Sequence, residues 1–147
     1  MATVYGVNAD KQFVDEPSTK IDASLYRGVV RHSTDTYEAA AAAAGTIIRM
    51  FRVNAGDVIL PLTTLRCDDL GTGVTADIIL DPDDGTTDVE LAVNIDVASA
   101  ASSTSMSAAA YINTFPYTVA KTGWICVETA DAAATGTIKL DLYHCEN

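Results

Sequence analysis

The densest set of potential ligands in this 147-residue chain is acidic: Asp81, Asp83, Asp84, Asp88 and Glu90. Carboxylates at such spacing suit Ca²⁺, which takes oxygen donors. An EF-hand loop opening at Asp81 would need glycine at its sixth position and an acid at its twelfth. Thr86 and Ala92 stand there instead, and Gly85 comes one residue early. A solvated turn is the reading that remains. Ser99, Ser102, Ser103, Ser105 and Ser107 lie in Ala/Ser-rich sequence without a Gly-X-Ser-X-Gly elbow, so no nucleophile is set up. His32 and His144 are each able to act as a base, but no spacing ties either to a nucleophile. Gly71-Thr72-Gly73 is too short for a phosphate loop and no lysine follows it. Cys67, Cys126 and Cys145 are far apart and lack Cys-X-X-Cys spacing. Reduced thiols are expected, with no metal and no cofactor. No motif supports an enzyme.

The elements that would have to position any site are strands. Ile138, Leu140 and Leu142 alternate with Lys139 and Asp141 after Gly136, and Ala76, Ile78 and Leu80 alternate with Asp77, Ile79 and Asp81. Period 2 marks a strand with one buried and one wet face. A broken first strand is expected over residues 25–33 and 37–38, with the alanines at 39–44 as a connection. Strands at 46–53 and 58–67 follow, joined by Asn54-Ala55-Gly56-Asp57 as a hairpin signal. Pro61 implies an edge or bulge in the second of these. Residues 87–95 read equally as a short helix, opened by a Thr87–Glu90 capping box, or as a strand. Residues 98–110 read as a long loop, and 117–120, 124–129 and 137–145 supply the last strands. About eight short strands separated by turns imply an all-β domain, a β-sandwich of jelly-roll type.

Residues 23–147 are read as this domain. Residues 1–22 carry Val4, Tyr5, Val7, Phe13 and Val14 without periodicity, which fits either a tail or an extended N-terminal arm pairing with a neighbouring subunit. The net charge of −11 is uneven. Residues 1–66 hold seven basic and seven acidic side chains, whereas residues 67–147 hold two lysines against thirteen acids. Such a surface argues against nucleic acid and anionic membranes as partners. Arg27, Arg31, Arg49, Arg52 and Arg66 in the neutral part offer a surface for an acidic protein. No apolar run nears the ~20 residues that span a bilayer, and no signal-peptide pattern opens the chain. Cytoplasmic synthesis is expected.

Several stretches also carry a resemblance. The opening Met-Ala-Thr-Val-Tyr-Gly-Val-Asn resembles a recurring start among tailed-phage structural proteins. So does the succession of Arg-Gly-Val-Val-Arg, Thr-Asp-Thr-Tyr-Glu and Gly-Thr-Ile-Ile-Arg-Met-Phe-Arg-Val-Asn-Ala-Gly-Asp, and the closing Ala-Ala-Thr-Gly-Thr-Ile-Lys-Leu. The resemblance is to the capsid decoration, or cement, proteins of tailed bacteriophages. It implies a homotrimer on the exterior of the virion capsid, fastening major capsid protein subunits. Val4, Tyr5, Val7, Phe13, Val14, Arg27 and Arg31 would then face the capsid or a sister subunit, with the acidic turns at 68–69 and 81–90 toward solvent. The alternative function is a head-fibre or tail-associated carbohydrate-binding module, with Trp124, Tyr111 or Tyr117 as a sugar platform.

Overall fold

The computed structural model describes residues 29–98, 102–105 and 116–146, and every regular element among them is a strand. In chain order these are β1 (Val30–Ala42), β2 (Thr46–Val53), β3 (Val58–Ile59), β4 (Thr64–Cys67), β5 (Thr75–Pro82), β6 (Val89–Asp96), β7 (Ser102–Ser105), β8 (Tyr117–Thr118), β9 (Gly123–Ala130) and β10 (Ala134–Cys145). They form two antiparallel sheets packed as a β-sandwich. In the first, β1 pairs with β10; β10 pairs on its other side with β4 and β3, and these pair in turn with β7 and β8. The second sheet runs β2-β9-β5-β6.

The alternation explains why the sheets stack. Ile138, Leu140 and Leu142 of β10 are at most 1% exposed and meet Ala76, Ile78 and Leu80 of β5 and Ile125 and Val127 of β9 in one core. Fully burying each large aliphatic side chain contributes roughly 1.5–3 kcal/mol. Their inward positions follow directly from period 2 in strands of opposite sheets. One face of β5 departs from the expected pattern. Ile79, on the side away from Ile78 and Leu80, is also buried. It pairs with Cys126 on β9 and Glu90 on β6, and Arg49 of β2 stands opposite Cys126. Long polar side chains thus flank an apolar pair on the outer face, their stems able to shield it from water.

Four expectations are corrected. The alanines at 39–42 continue β1 as a strand, because the pairing with β10 supplies backbone partners that outweigh alanine's weak strand preference. Ala39 is buried, and the register slips between Ala39 and Ala42, where Ala41 takes a φ of 55°. The turn at 54–57 forms, with Asp57 accepting from Asn54 N–H at 2.8 Å, but it is not a hairpin. Val53 pairs with Gly123 in the second sheet and Val58 with Cys145 in the first, so the turn carries the chain between layers. The run 58–67 is split at a turn containing Pro61, consistent with proline's inability to donate to a ladder. Within 98–110, residues 102–105 form β7 against β4. At 87–95 the strand alternative holds, as β6. The extended arm expected over 1–22 lies outside the described residues, as do Val4, Tyr5, Val7, Phe13, Val14 and Arg27.

Candidate docking surface

Among the described residues, β1 is a long edge strand with little covering it. The register places Ser33, Asp35 and Tyr37 opposite Leu142, Leu140 and Ile138, so these residues point to the core side of the first sheet. Their partners on β10 are buried, yet Asp35 and Tyr37 are exposed and Ser33 is half-buried. The first sheet therefore overhangs the second along this edge. Val29 at 73% and Val30 at 53% are the exposed apolar groups at its beginning, and Tyr37 at 41% comes toward its end. Among the described residues β1 pairs only with β10, which leaves one row of backbone donors and acceptors unpaired by any strand. Arg31 sits here, and of the residues expected to face the capsid or a sister subunit it alone lies in the described region. Its side chain is 58% exposed, and its guanidinium reaches Glu146 Oε2 at 3.0 Å.

The outward face of the same sheet is organised around one carboxylate. Asp141 of β10 is 3% exposed and lies beside Thr34 of β1 and Thr64 of β4. His32 Nε2 is 3.3 Å from Asp141 Oδ1, and the His32 ring stacks on Tyr143 with centroids 4.6 Å apart. Arg66 Nε stands 3.2 Å from Oδ2, close enough for attraction but off line for a hydrogen bond, and Lys139 Nζ is 3.9 Å from Oδ1. Burial pushes the Asp141 carboxyl up. Hydrogen bonds from Thr34 and His32 and the charges of Lys139 and Arg66 outweigh it and leave the group below its ordinary range. Sequence reasoning missed this residue because it occupies the polar phase of β10. Only the register brings His32 of β1 and Arg66 of β4 onto it, beside Lys139 of its own strand.

On the second sheet, a bulge sets a different cluster. Residues three apart in a regular strand face opposite sides. The register slip between Arg49 and Phe51 inserts Met50, so Arg49 and Arg52 both face outward, opposite Cys126 and Trp124. Their guanidinium carbons lie 5.8 and 5.4 Å from the Trp124 ring centroid, within cation–π range. Arg49 also donates to Asp81 at 2.8 Å, and Arg52 pairs with Asp83. Further along, Lys121 Nζ is 2.7 Å from Asp84 Oδ2. Hydrogen bonds from Lys121 and Thr86 lower the Asp84 carboxyl to about 2.

These contacts give the charge split a structural form. Arg31, Arg49, Arg52 and Arg66 each meet an acid from the second half of the chain: Glu146, Asp81, Asp83 and Asp141. Each of these charges thus has an acid within the molecule, while the arginine side chains stay about half exposed. Asp68, Asp69, Asp83 and Asp84 of the acidic turns are exposed. No group of three or more His, Cys, Asp or Glu among the described residues is arranged to hold a metal. Cys67, Cys126 and Cys145 are buried and joined in no disulfide, and burial pushes the Cys126 thiol up to about 12. His144 is buried, with its Nε2 3.9 Å from Glu146. A cleft of 210 Å³ beside Leu80, Thr87, Tyr117 and Lys121 is smaller than the ~300–1,000 Å³ of ordinary small-molecule sites. Burial there raises the Tyr117 hydroxyl. Tyr111 lies outside the described residues. Among the described residues, the candidate surfaces are a strand edge and two charged sheet faces.

No family model and no curated protein matches the chain. Among solved structures it is similar to a chain in the capsid asymmetric unit of cyanophage Pam1, with a TM-score of 0.59 at 16% identity. That alignment covers 83% of this chain and 88% of the other. A chain from the acid-stable capsid of Helicobacter pylori bacteriophage KHP30 aligns at a TM-score of 0.49 and 13% identity, covering 80% and 87%. A chain from Bacillus endospore appendages aligns at 0.36 and 16%, covering 81% and 88%. The likeness to the Pam1 chain is one of fold, across most of both chains.

Proposed function

We propose that this chain is a capsid-associated protein of a tailed bacteriophage, a decoration protein that binds the outer surface of the head and fastens neighbouring major capsid subunits. The observation that carries this reading is the fold shared with the chain of the Pam1 capsid asymmetric unit, which spans most of both chains. The strand order supports it further. Counting β3 with β4 and β7 with β8 as interrupted strands gives eight positions, ordered 1-8-3-6 in one sheet and 2-7-4-5 in the other. Two such four-stranded layers are the arrangement of a jelly roll.

The mechanism is interfacial. Edge strands and flat charged faces, repeated over a lattice, add weak contacts into high avidity. An interface of about 800 Å² per partner suffices for specific attachment. The protein's place is then the exterior of the virion, its partner the major capsid protein, and its oligomer the homotrimer implied by the sequence resemblance. It has no catalytic role in this account. The carbohydrate-binding alternative loses its main support at Trp124, whose ring is engaged by Arg49 and Arg52 and so is poorly available for stacking on a sugar.

The test is cosedimentation of the purified chain with heads built from the major capsid protein of the same phage. Saturable binding with fixed stoichiometry supports the reading. Absence of binding to such heads, with the protein folded, overturns it.

A further inference from the structure

We propose that the free edge of β1 is a self-recognition strand that pairs antiparallel with β1 of a second copy, in a register where Ser33 stands opposite Ser33. The edge itself comes first. It offers a row of backbone groups without a strand partner among the described residues, and its core-side face is left open by the overhang. An added strand satisfies those groups along its length.

The sequence of the edge then selects both the partner and the register. With Ser33 as its own partner, Arg31 faces Asp35 and Val29 faces Tyr37 on the core side of the joined sheet. Val30 faces Thr36 and His32 faces Thr34 on the other side. Each pair occurs twice, once on either side of the two-fold axis, as an isologous contact requires. The exposed apolar groups Val29 and Tyr37 cover each other, and opposite charges meet. Neighbouring registers lose this match. Centring on Thr34 sets Arg31 against Tyr37 and Val30 against Glu38. Centring on Asp35 sets two carboxylates directly opposite, which is destabilising.

The charges are available for this role. Asp35 is exposed, and its carboxylate accepts a 2.8 Å hydrogen bond from the N–H of Thr36, leaving its second oxygen for a partner's guanidinium. Arg31 touches Glu146 at 3.0 Å, and the five donors of a guanidinium can serve both acids. Because the contact is isologous, it joins copies in pairs: two single chains, or two larger assemblies meeting at a two-fold. It stands independently of the capsid reading.

The experiment uses the full chain. Ser33→Cys and Thr34→Cys are each oxidised gently, and covalent dimers are measured under denaturing, non-reducing conditions. The three native cysteines are buried, and the unmodified chain serves as the baseline. Ser33→Cys is expected to form dimer well above that baseline, because the residue meets itself. Thr34→Cys is expected to stay near baseline, since it meets His32. In sedimentation equilibrium, Asp35→Arg is expected to weaken self-association about tenfold or more, as two attractive pairs become repulsive. Arg31→Asp combined with Asp35→Arg is expected to restore it. Equal cross-linking at the two positions overturns the register. A wild-type chain that stays at single-chain mass across concentration, or an association indifferent to both charge changes, overturns the pairing and leaves the edge to a different occupant.

Discussion

Replacing Asp141 by Asn should remove the charge that ties β1, β10 and β4 together on the outward face of the first sheet, at nearly constant volume. The size of the effect can be worked from its neighbours. His32, Arg66 and Lys139 approach within 3.3, 3.2 and 3.9 Å, but their side chains are 47%, 56% and 41% exposed. Water screens pairs of this kind, so each contributes only ~0.2–1 kcal/mol. The Thr34 hydrogen bond to a charged acceptor adds about 1 kcal/mol. The sum is roughly 2 kcal/mol, which for a domain of this length lowers the melting midpoint by about 5 °C. Urea denaturation of both proteins at neutral pH measures it. The pH dependence gives a second, independent reading. The folded Asp141 carboxyl is held below its ordinary value of 3.8, so its contribution is full above that pH. It is lost as pH falls through the lowered folded value, because protonation then proceeds in both states. The stability gap between wild type and Asp141→Asn should therefore narrow as pH falls below about 3.8. A loss under ~0.5 kcal/mol at neutral pH, or a gap unchanged in acid, would refute the view that this carboxylate organises the face.

Three further outcomes follow from local geometry. Gly123→Ala should destabilise the sandwich by about 1–3 kcal/mol, since a Cβ there would overlap the Asp81 carbonyl oxygen where β9 crosses Pro82, and a denaturation curve matching wild type would contradict this. Cys126, fully buried and with its thiol pushed up to about 12, should react with a thiol reagent at pH 8 only after denaturant is added; rapid native labelling of that residue, read by peptide mass, would be inconsistent with its burial. Asp83→Asn should cost less than ~1 kcal/mol, because the Arg52–Asp83 pair is exposed on both sides, and a larger loss in urea would show that the arginine–tryptophan cluster is more cooperative than its exposure suggests.

Much of the fold was legible where one strand carries its own pattern. β10, β9 and β5 are visible as alternating or continuous apolar runs, because their burial is decided by the parity of their own residues. The rest depends on partners distant in sequence. Nothing within the alanines at 39–42 marks a strand; the register with β10 does. The turn at Asn54–Asp57 announces a reversal of direction, but the sheet joined by the next strand depends on whether Val58 meets Cys145 or a neighbour of β2. The candidate surfaces follow the same division. Arg31 was identified from the sequence, whereas Asp141 looked like an ordinary wet residue, and the overhang of Asp35 and Tyr37 arises only from the relative width of the two sheets. The charge split was visible as a sum, yet pairing of Arg49 with Asp81 and Arg52 with Asp83 depends on the bulge at Met50 and on β5 and β2 flanking β9.

A cryo-EM map of the intact particle tests the central claim most directly. The account predicts density for a two-sheet domain on the outside of the head, seated across the boundary between neighbouring major capsid subunits and repeated with the lattice. A head surface bare of that domain, in particles shown by mass spectrometry to contain the chain, would contradict it.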